Sequence, residues 1–311
     1  MGHVASQIET QKVSLSLAPL PLCSAYLEEL MKRLLLFLLS TLILSGCTPV
    51  QFANSFVSGS LQVRQNVPYG ELERQTLDVY QAAEAVKGIV VFVHGGYWDS
   101  GDKSDYVFLA DTLTERGFTT VIVNYRLVPE VTFPSYVQDV ALALDWVFEN
   151  LAEGGATNVF LMGHSAGAHI ASLVAFNEQY LNEVGLRTSD LSGFVGLAGP
   201  YDFLPLEPDD VRSSAALGEG DLTQTQPINF VDGAEPPTFL AIGLDDTTVN
   251  PANSERFAER IEQRGGEVAL ERYPGVDHAG VVGALARVGR VIEPAILRDV
   301  TEFLNSHLRS E

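Results

Sequence analysis

From Leu77 onward the chain alternates between short apolar runs rich in Val, Ile, Phe and Leu and longer segments whose apolar residues recur every three or four positions. The short runs predict strands at Leu77–Tyr80, Gly88–His94, Thr119–Tyr125, Asn158–Gly163, Gly193–Gly199, Pro237–Gly243 and Glu267–Tyr273. The longer segments predict helices at Ser104–Arg116, Ser135–Ala152, Ala166–Asn177, Pro251–Arg264 and Pro294–Leu308. Strands that are apolar throughout, not only at every second residue, must be covered on both faces, which is the condition of a parallel sheet between two helical layers. The pattern therefore predicts one α/β domain over 61–311, a doubly wound, mostly parallel sheet with helices on both faces. One stretch breaks the alternation. Between Leu204 and Glu235, Pro, Asp, Gly and Ser interrupt any period, and this segment reads as an excursion over the sheet, a small cap.

The beginning of the chain has a different pattern. Met31-Lys32-Arg33 is basic, Leu34 to Leu44 is an apolar run, and Leu44-Ser45-Gly46-Cys47 ends it in small residues. The run is about eleven residues, well short of the ~20 that a membrane-spanning helix requires. A basic start, a short apolar stretch and a small-residue processing site make an export signal. The Leu-Ser-Gly-Cys string resembles the lipobox of bacterial lipoproteins, which implies lipid on Cys47, a mature chain starting there, and anchorage to a bacterial cell membrane. Thr48 is compatible with sorting to the outer membrane in the lipoproteins it resembles. Residues 1–46 then comprise a dubious extension plus signal peptide, with Met31 as the expected initiator, and 47–60 is a small, polar spacer.

Charge narrows the partners. The sequence holds 40 Asp and Glu against 19 Lys and Arg, a formal charge of −21. Residues 1–46 carry three acids and three bases, so the whole excess belongs to residues 47–311. Such a field repels nucleic-acid phosphates, and no nucleic-acid partner is expected. The only cysteines are Cys23 and Cys47, which excludes a disulfide framework and a cysteine zinc site.

In an open parallel sheet the chemistry sits beyond the carboxyl ends of the strands. Gly163-His164-Ser165-Ala166-Gly167 joins the strand ending at Met162 to the helix opening at Ala166, the setting of a nucleophile elbow. Glycine is needed on either side because a side chain would crowd so sharp a turn. His94-Gly95-Gly96-Tyr97-Trp98 closes an earlier strand and can offer the backbone N–H groups of Gly96 and Tyr97, together with that of Ala166, to a developing oxyanion. The serine needs a base and the base an orienting acid. Of six histidines, His3 precedes the signal, His94 belongs to the oxyanion loop, His164 is expected to point away, His169 lies one turn into the helix and His307 is near the end. His278, in the loop after Tyr273, remains as the base. Asp245 and Asp246, after the strand ending at Gly243, are both candidate acids.

With these strings in hand, the chain from about Leu77 to its end resembles the α/β-hydrolase superfamily, and within it the carboxylesterase group that includes hormone-sensitive-lipase-like esterases and kynurenine formamidases. The resemblance rests on Leu77-Asp-Val-Tyr80, His94-Gly-Gly-Tyr-Trp98, Gly101-Asp-Lys103, Asn124-Tyr-Arg-Leu127, Gly163-His-Ser-Ala-Gly-Ala-His169 and Tyr273-Pro-Gly275. The family's Gly-x-x-Asp-x-x-Val pattern maps onto Gly243, Asp246 and Val249, and so favours Asp246; a few members of the family place the acid after the preceding strand, which makes Asp202 in Gly199-Pro-Tyr-Asp202 its rival. Tyr97 stands where hormone-sensitive-lipase-like members carry a third glycine, and His-Gly-Gly-x-Trp is closer to the formamidase and feruloyl-esterase-like branches. The resemblance implies a serine carboxylesterase acting on a small-molecule ester through Ser165, His278 and Asp246, with no metal and no organic cofactor. A formamidase or amidase using the same residues is the alternative, and a non-catalytic envelope lipoprotein is the alternative of another class.

Overall fold

A computed structural model of the chain describes residues 53–58, 61–82, 86–152, 158–206, 210–289 and 293–309. Cys47 and the signal-like segment lie outside the described residues. One compact unit runs from Thr48 to Glu311. Its sheet has eight strands: β1 (Gln62–Pro68), β2 (Thr76–Gln81), β3 (Gly88–Val93), β4 (Phe118–Val123), β5 (Val159–His164), β6 (Gly193–Leu197), β7 (Thr238–Gly243) and β8 (Val268–Tyr273). The order across the sheet is β1-β2-β4-β3-β5-β6-β7-β8. Pairing is antiparallel from β1 to β2 and β2 to β4, and parallel from there on.

Among the described residues the helices are α1 (Val107–Thr114), α2 (Ser135–Asn150), α3 (Ala166–Phe176), α4 (Glu178–Glu183), α5 (Val211–Leu217), α6 (Ala252–Arg264), α7 (His278–Gly283) and α8 (Pro294–Ser306). Two apolar cores form because successive strand residues point to opposite faces. Val91 and Val93 of β3 pack with α2, α3 and α6, whereas Val90 and Phe92 pack with α1 and α8. All six residues of each of β3, β4, β5 and β7 are buried, as their unbroken apolar runs require.

The departures from the sequence pattern have local causes. Strand β1 has no counterpart among the expected strands, since its residues are nearly all exposed and carry no apolar alternation. The helix expected over Ser104–Arg116 opens as a 3-10 turn, Lys103–Tyr106, capped by the Asp102 side chain on the Ser104 N–H, before α1 proper begins. Helix α7 falls in what reads as a loop and is started by the Asp277 carboxylate accepting from the Gly280 N–H at 2.7 Å. Residues 53–58 of the expected spacer are tied to the domain: the Asn54 amide donates to the Ser104 carbonyl at 2.8 Å and accepts from the Phe108 N–H at 3.0 Å.

Candidate active site

Strand β5 ends at His164 and α3 starts at Ala166, leaving Ser165 alone to turn the chain. Ser165 does so at φ 55 and ψ −125, a conformation L-residues rarely hold. The glycines that permit it are sterically forced. A Cβ on Gly163 would lie 2.4 Å from the Gly167 carbonyl oxygen, and one on Gly167 2.2 Å from that of Val93. The helix is thus pressed against β5 and β3 closely enough to hold Ser165 beside the loop that leaves β3.

His278 is the first residue of α7, after β8, and Asp246 lies after β7. The structure brings them together with the serine. Ser165 Oγ lies 2.8 Å from His278 Nε2, and His278 Nδ1 lies 2.7 Å from Asp246 Oδ2. The other Asp246 oxygen accepts the N–H groups of Thr248 at 2.8 Å and Val249 at 2.9 Å, so both of its oxygens are used. Burial works to raise the Asp246 pKa, but the His278 contact and the two N–H groups outweigh it and hold the carboxyl below its ordinary range. An ionised Asp246 requires the proton on Nδ1, which leaves Nε2 free to accept from the Ser165 hydroxyl.

The rival acids do not reach the histidine: Asp202 pairs with Arg256, and Asp245 is exposed while Asp246 takes the contact with His278. His164 does not point away. It is buried beneath His278, ring centroids 4.9 Å apart, with Nε2 3.2 Å from the His278 carbonyl oxygen. Burial, reinforced by His278, pushes its pKa down to about 3, so it is a neutral prop under His278. His94 is fully buried, stacked on Tyr125 at 4.4 Å, with its pKa pushed down to about 4 by burial.

The loop after β3 is bent by consecutive left-handed residues, Gly96 (φ 129), Tyr97 (φ 51) and Trp98 (φ 62). The Gly96 carbonyl accepts from the Asp99 and Ser100 N–H groups. The N–H groups of Gly96, Tyr97 and Ala166 take no carbonyl among the described loop and turn hydrogen bonds. Arg212 of α5 pairs with Asp99 and lays its guanidinium 4.1 Å over the Tyr97 ring. That clamp between the 204–235 segment and the loop escapes sequence reasoning; its only trace in the sequence is a lone base in an acidic stretch.

A cavity of about 380 Å³ opens over Ser165. Trp98, Phe203, Leu204 and Leu206 form an apolar wall, and Asp202, Asp210, Asn253 and Arg256 a polar one. Segment 204–235 therefore does line the cavity, although Glu207 and Asp209, two of its acids, lie outside the described residues. Among the described residues no group of His, Cys, Asp and Glu is arranged to hold a metal ion.

A mostly parallel eight-stranded sheet, with a serine on the elbow after β5 and a histidine and an aspartate after β8 and β7, defines an α/β-hydrolase. The chain belongs to the BD-FAE family, whose model matches residues 77–261. It is 31% identical over 245 residues to a probable isoprenylcysteine alpha-carbonyl methylesterase of Oryza sativa subsp. japonica, covering 70% of this chain and 57% of that one. It is 26% identical to the kynurenine formamidase of Danio rerio, covering 76% and 82%. The chain spans about half the length of a plant methylesterase relative from Arabidopsis thaliana, 51%. Among solved structures, the inhibited esterase B of Lactobacillus rhamnosis superposes with a TM-score of 0.73 at 20% identity, covering 89% of this chain and 96% of that one. That likeness shows the fold.

Proposed function

We propose that the protein is a serine carboxylesterase that hydrolyses neutral, short-acyl esters through an acyl-enzyme on Ser165. The observation that carries this reading is the pair of hydrogen bonds from Ser165 through His278 to Asp246, at 2.8 and 2.7 Å. In the first half-reaction His278 Nε2 takes the hydroxyl proton as Ser165 Oγ attacks the ester carbonyl, and Asp246 steadies the imidazolium that results. The carbonyl oxygen becomes an anion facing the N–H groups of Gly96, Tyr97 and Ala166, each preorganised donor being worth about 3 kcal/mol. His278 returns its proton to the leaving alcohol. In the second half it draws a proton from water, whose oxygen attacks the acyl carbon; the bond from that carbon to Ser165 Oγ then breaks, His278 returns the proton to Oγ, and the acid leaves.

The cavity supports this substrate class. At about 380 Å³ it stands near the lower end of ligand pockets, and it suits a small ester better than a long acyl chain. Its lining carboxylates, Asp202 and Asp210, face one base, Arg256, already engaged by Asp202, so an added anion would meet repulsion. A formamidase using the same residues is the second reading, supported by the similarity to the fish kynurenine formamidase.

We further propose that the chain is exported and held to a bacterial cell membrane by lipid on Cys47, Thr48 being compatible with the outer one. The support is the basic, short apolar and Leu44-Ser45-Gly46-Cys47 succession. Among the described residues no helix is long and apolar enough to cross a membrane.

The test is labelling of Ser165 by a fluorophosphonate, and then kcat/KM for p-nitrophenyl acetate, butyrate and palmitate, a negatively charged ester and N-formylkynurenine. Acetate or butyrate should lead. A preference for palmitate or the anion overturns the substrate class, and a large preference for N-formylkynurenine establishes the formamidase. An unlabelled, inactive protein leaves the non-catalytic lipoprotein.

A further inference from the structure

Acyl transfer through Ser165 makes no use of His169, yet this residue is fully buried one helical turn beyond the serine, its own N–H donating to the Ser165 carbonyl at 3.1 Å. Its two ring nitrogens reach two other parts of the site. Trp98 Nε1 lies 3.1 Å from His169 Nδ1, and His169 Nε2 lies 2.7 Å from the Thr225 carbonyl oxygen. An indole nitrogen can only donate, so Nδ1 must accept; Nε2 must then carry the proton and donate to Thr225. One tautomer satisfies both ends, and burial, which pushes the His169 pKa down to about 4, keeps the ring neutral in that form.

We infer that His169 is a positioning residue that holds, through the Trp98 indole, the left-handed turn bearing the proposed oxyanion donors, and ties that turn to the segment 204–235 through Thr225. The inference rests on the acyl-transfer reading of Ser165. Two successive non-glycine residues at positive φ persist only where their surroundings over-determine them. Tyr97 and Trp98 are such a pair, at φ 51 and 62. On the main chain the Trp98 carbonyl accepts from the Val128 N–H at 3.0 Å. On the side chain the indole stands edge-on to His169, centroids 5.3 Å apart, and stacks on Phe203 at 6.2 Å. Without an acceptor at Nδ1 the buried indole N–H would lack a partner, and the ring would turn, carrying the neighbouring Tyr97 N–H with it. Because that donor matters most when the oxyanion has formed, the loss should fall on kcat and leave KM nearly unchanged.

The experiment compares His169→Phe, which keeps a ring but offers no acceptor, with His169→Asn, whose amide oxygen can stand near the Nδ1 position. Trp98→Phe and the double variant His169→Phe/Trp98→Phe complete the set. Rates are expressed per fluorophosphonate-labelled serine, so that partial unfolding does not count as lost catalysis. His169→Phe should lower kcat about ten- to a hundredfold, the scale of a misplaced catalytic group. His169→Asn should recover most of it. Trp98→Phe should match His169→Phe, and the double variant should lose little more. Full kcat per labelled serine in His169→Phe, or no advantage of Asn over Phe, overturns the inference. If His169→Phe does not fold, Trp98→Phe reads the same bond, and a wild-type kcat there overturns it equally. Nitrogen NMR of the wild-type protein is independent of turnover: His169 should show one tautomer, protonated at Nε2, from pH 5 to 8, and titration in that range overturns the assignment. Wild-type protein that is neither labelled nor active, while His169 keeps its single tautomer, refutes the esterase and not the Trp98–His169 tie.

Discussion

Gly167→Ala tests the elbow most directly. The added methyl would sit 2.2 Å from the Val93 carbonyl oxygen and 2.4 Å from that of His94. Close carbon–oxygen contacts settle at about 3.3 Å, so roughly 1 Å of separation is missing. The opposing atoms are backbone of β3 and its loop, which no rotamer change can move. Helix α3 must therefore back away from β3 by about 1 Å, drawing Ser165 off the loop of Gly96 and Tyr97. Overpacking of this kind costs about 1–3 kcal/mol, and a displacement of about 1 Å at reacting groups costs about a hundredfold in rate. In a domain of this size the stability loss corresponds to a fall of about 2–12 °C in Tm. Calorimetry and p-nitrophenyl butyrate hydrolysis per titrated serine measure the two effects separately. Gly283→Ala is the control, because a Cβ there meets nothing within 4 Å, and both readings should stay at wild type. A Gly167→Ala protein with wild-type Tm and kcat would refute the steric account of the elbow.

Ser165→Ala, His278→Ala and Asp246→Asn should each reduce turnover by roughly 10³ to 10⁶, with double variants losing little more, while Asp202→Asn and Asp245→Asn stay active; the reverse outcome in a kcat comparison would reassign the acid. Asp102 gives a pH prediction. Burial acts to raise its pKa, but the Ser104 N–H, the Asn124 amide and Lys103 pull it to about 2. A folded pKa below the unfolded value of about 3.9 contributes stability that is complete above about pH 4 and is lost as pH falls through about 2. Urea midpoints should therefore drop less between about pH 4 and pH 2 in Asp102→Asn than in wild type. Cys47→Ser should move an active enzyme from the membrane fraction to the soluble one, and retention at the membrane on fractionation would remove the anchor proposal.

Those parts of the fold whose physics is local are legible in the residues. The central strands can be read because burial on both faces demands an unbroken apolar run, as in Ile89-Val-Val-Phe-Val93, and the elbow because two glycines flank a serine between a strand and a helix. Strand β1 is not legible: it lies at the edge, exposed, and is defined by its partner β2 more than by its own residues. The expectation that His164 points away fails because the variable position before the serine says nothing about what covers it, and the cover, His278, comes 114 residues later. His169 carries one signal, its place four residues after Ser165 and hence on the same helix face, but its partner Trp98 lies 71 residues away.

The left-handed backbone at Tyr97, Trp98 and Ser165 sets stability against activity. Each such residue is disfavoured by about 1–3 kcal/mol, against a total stability of about 5–15 kcal/mol for a typical domain. Glycine accepts that backbone without strain, so Ser165→Gly and Tyr97→Gly are expected to melt later than the wild type even though the first removes the proposed nucleophile. Selection for thermal resistance alone would therefore drift toward an inert protein, and only a screen that also demands turnover would keep these three positions as they are.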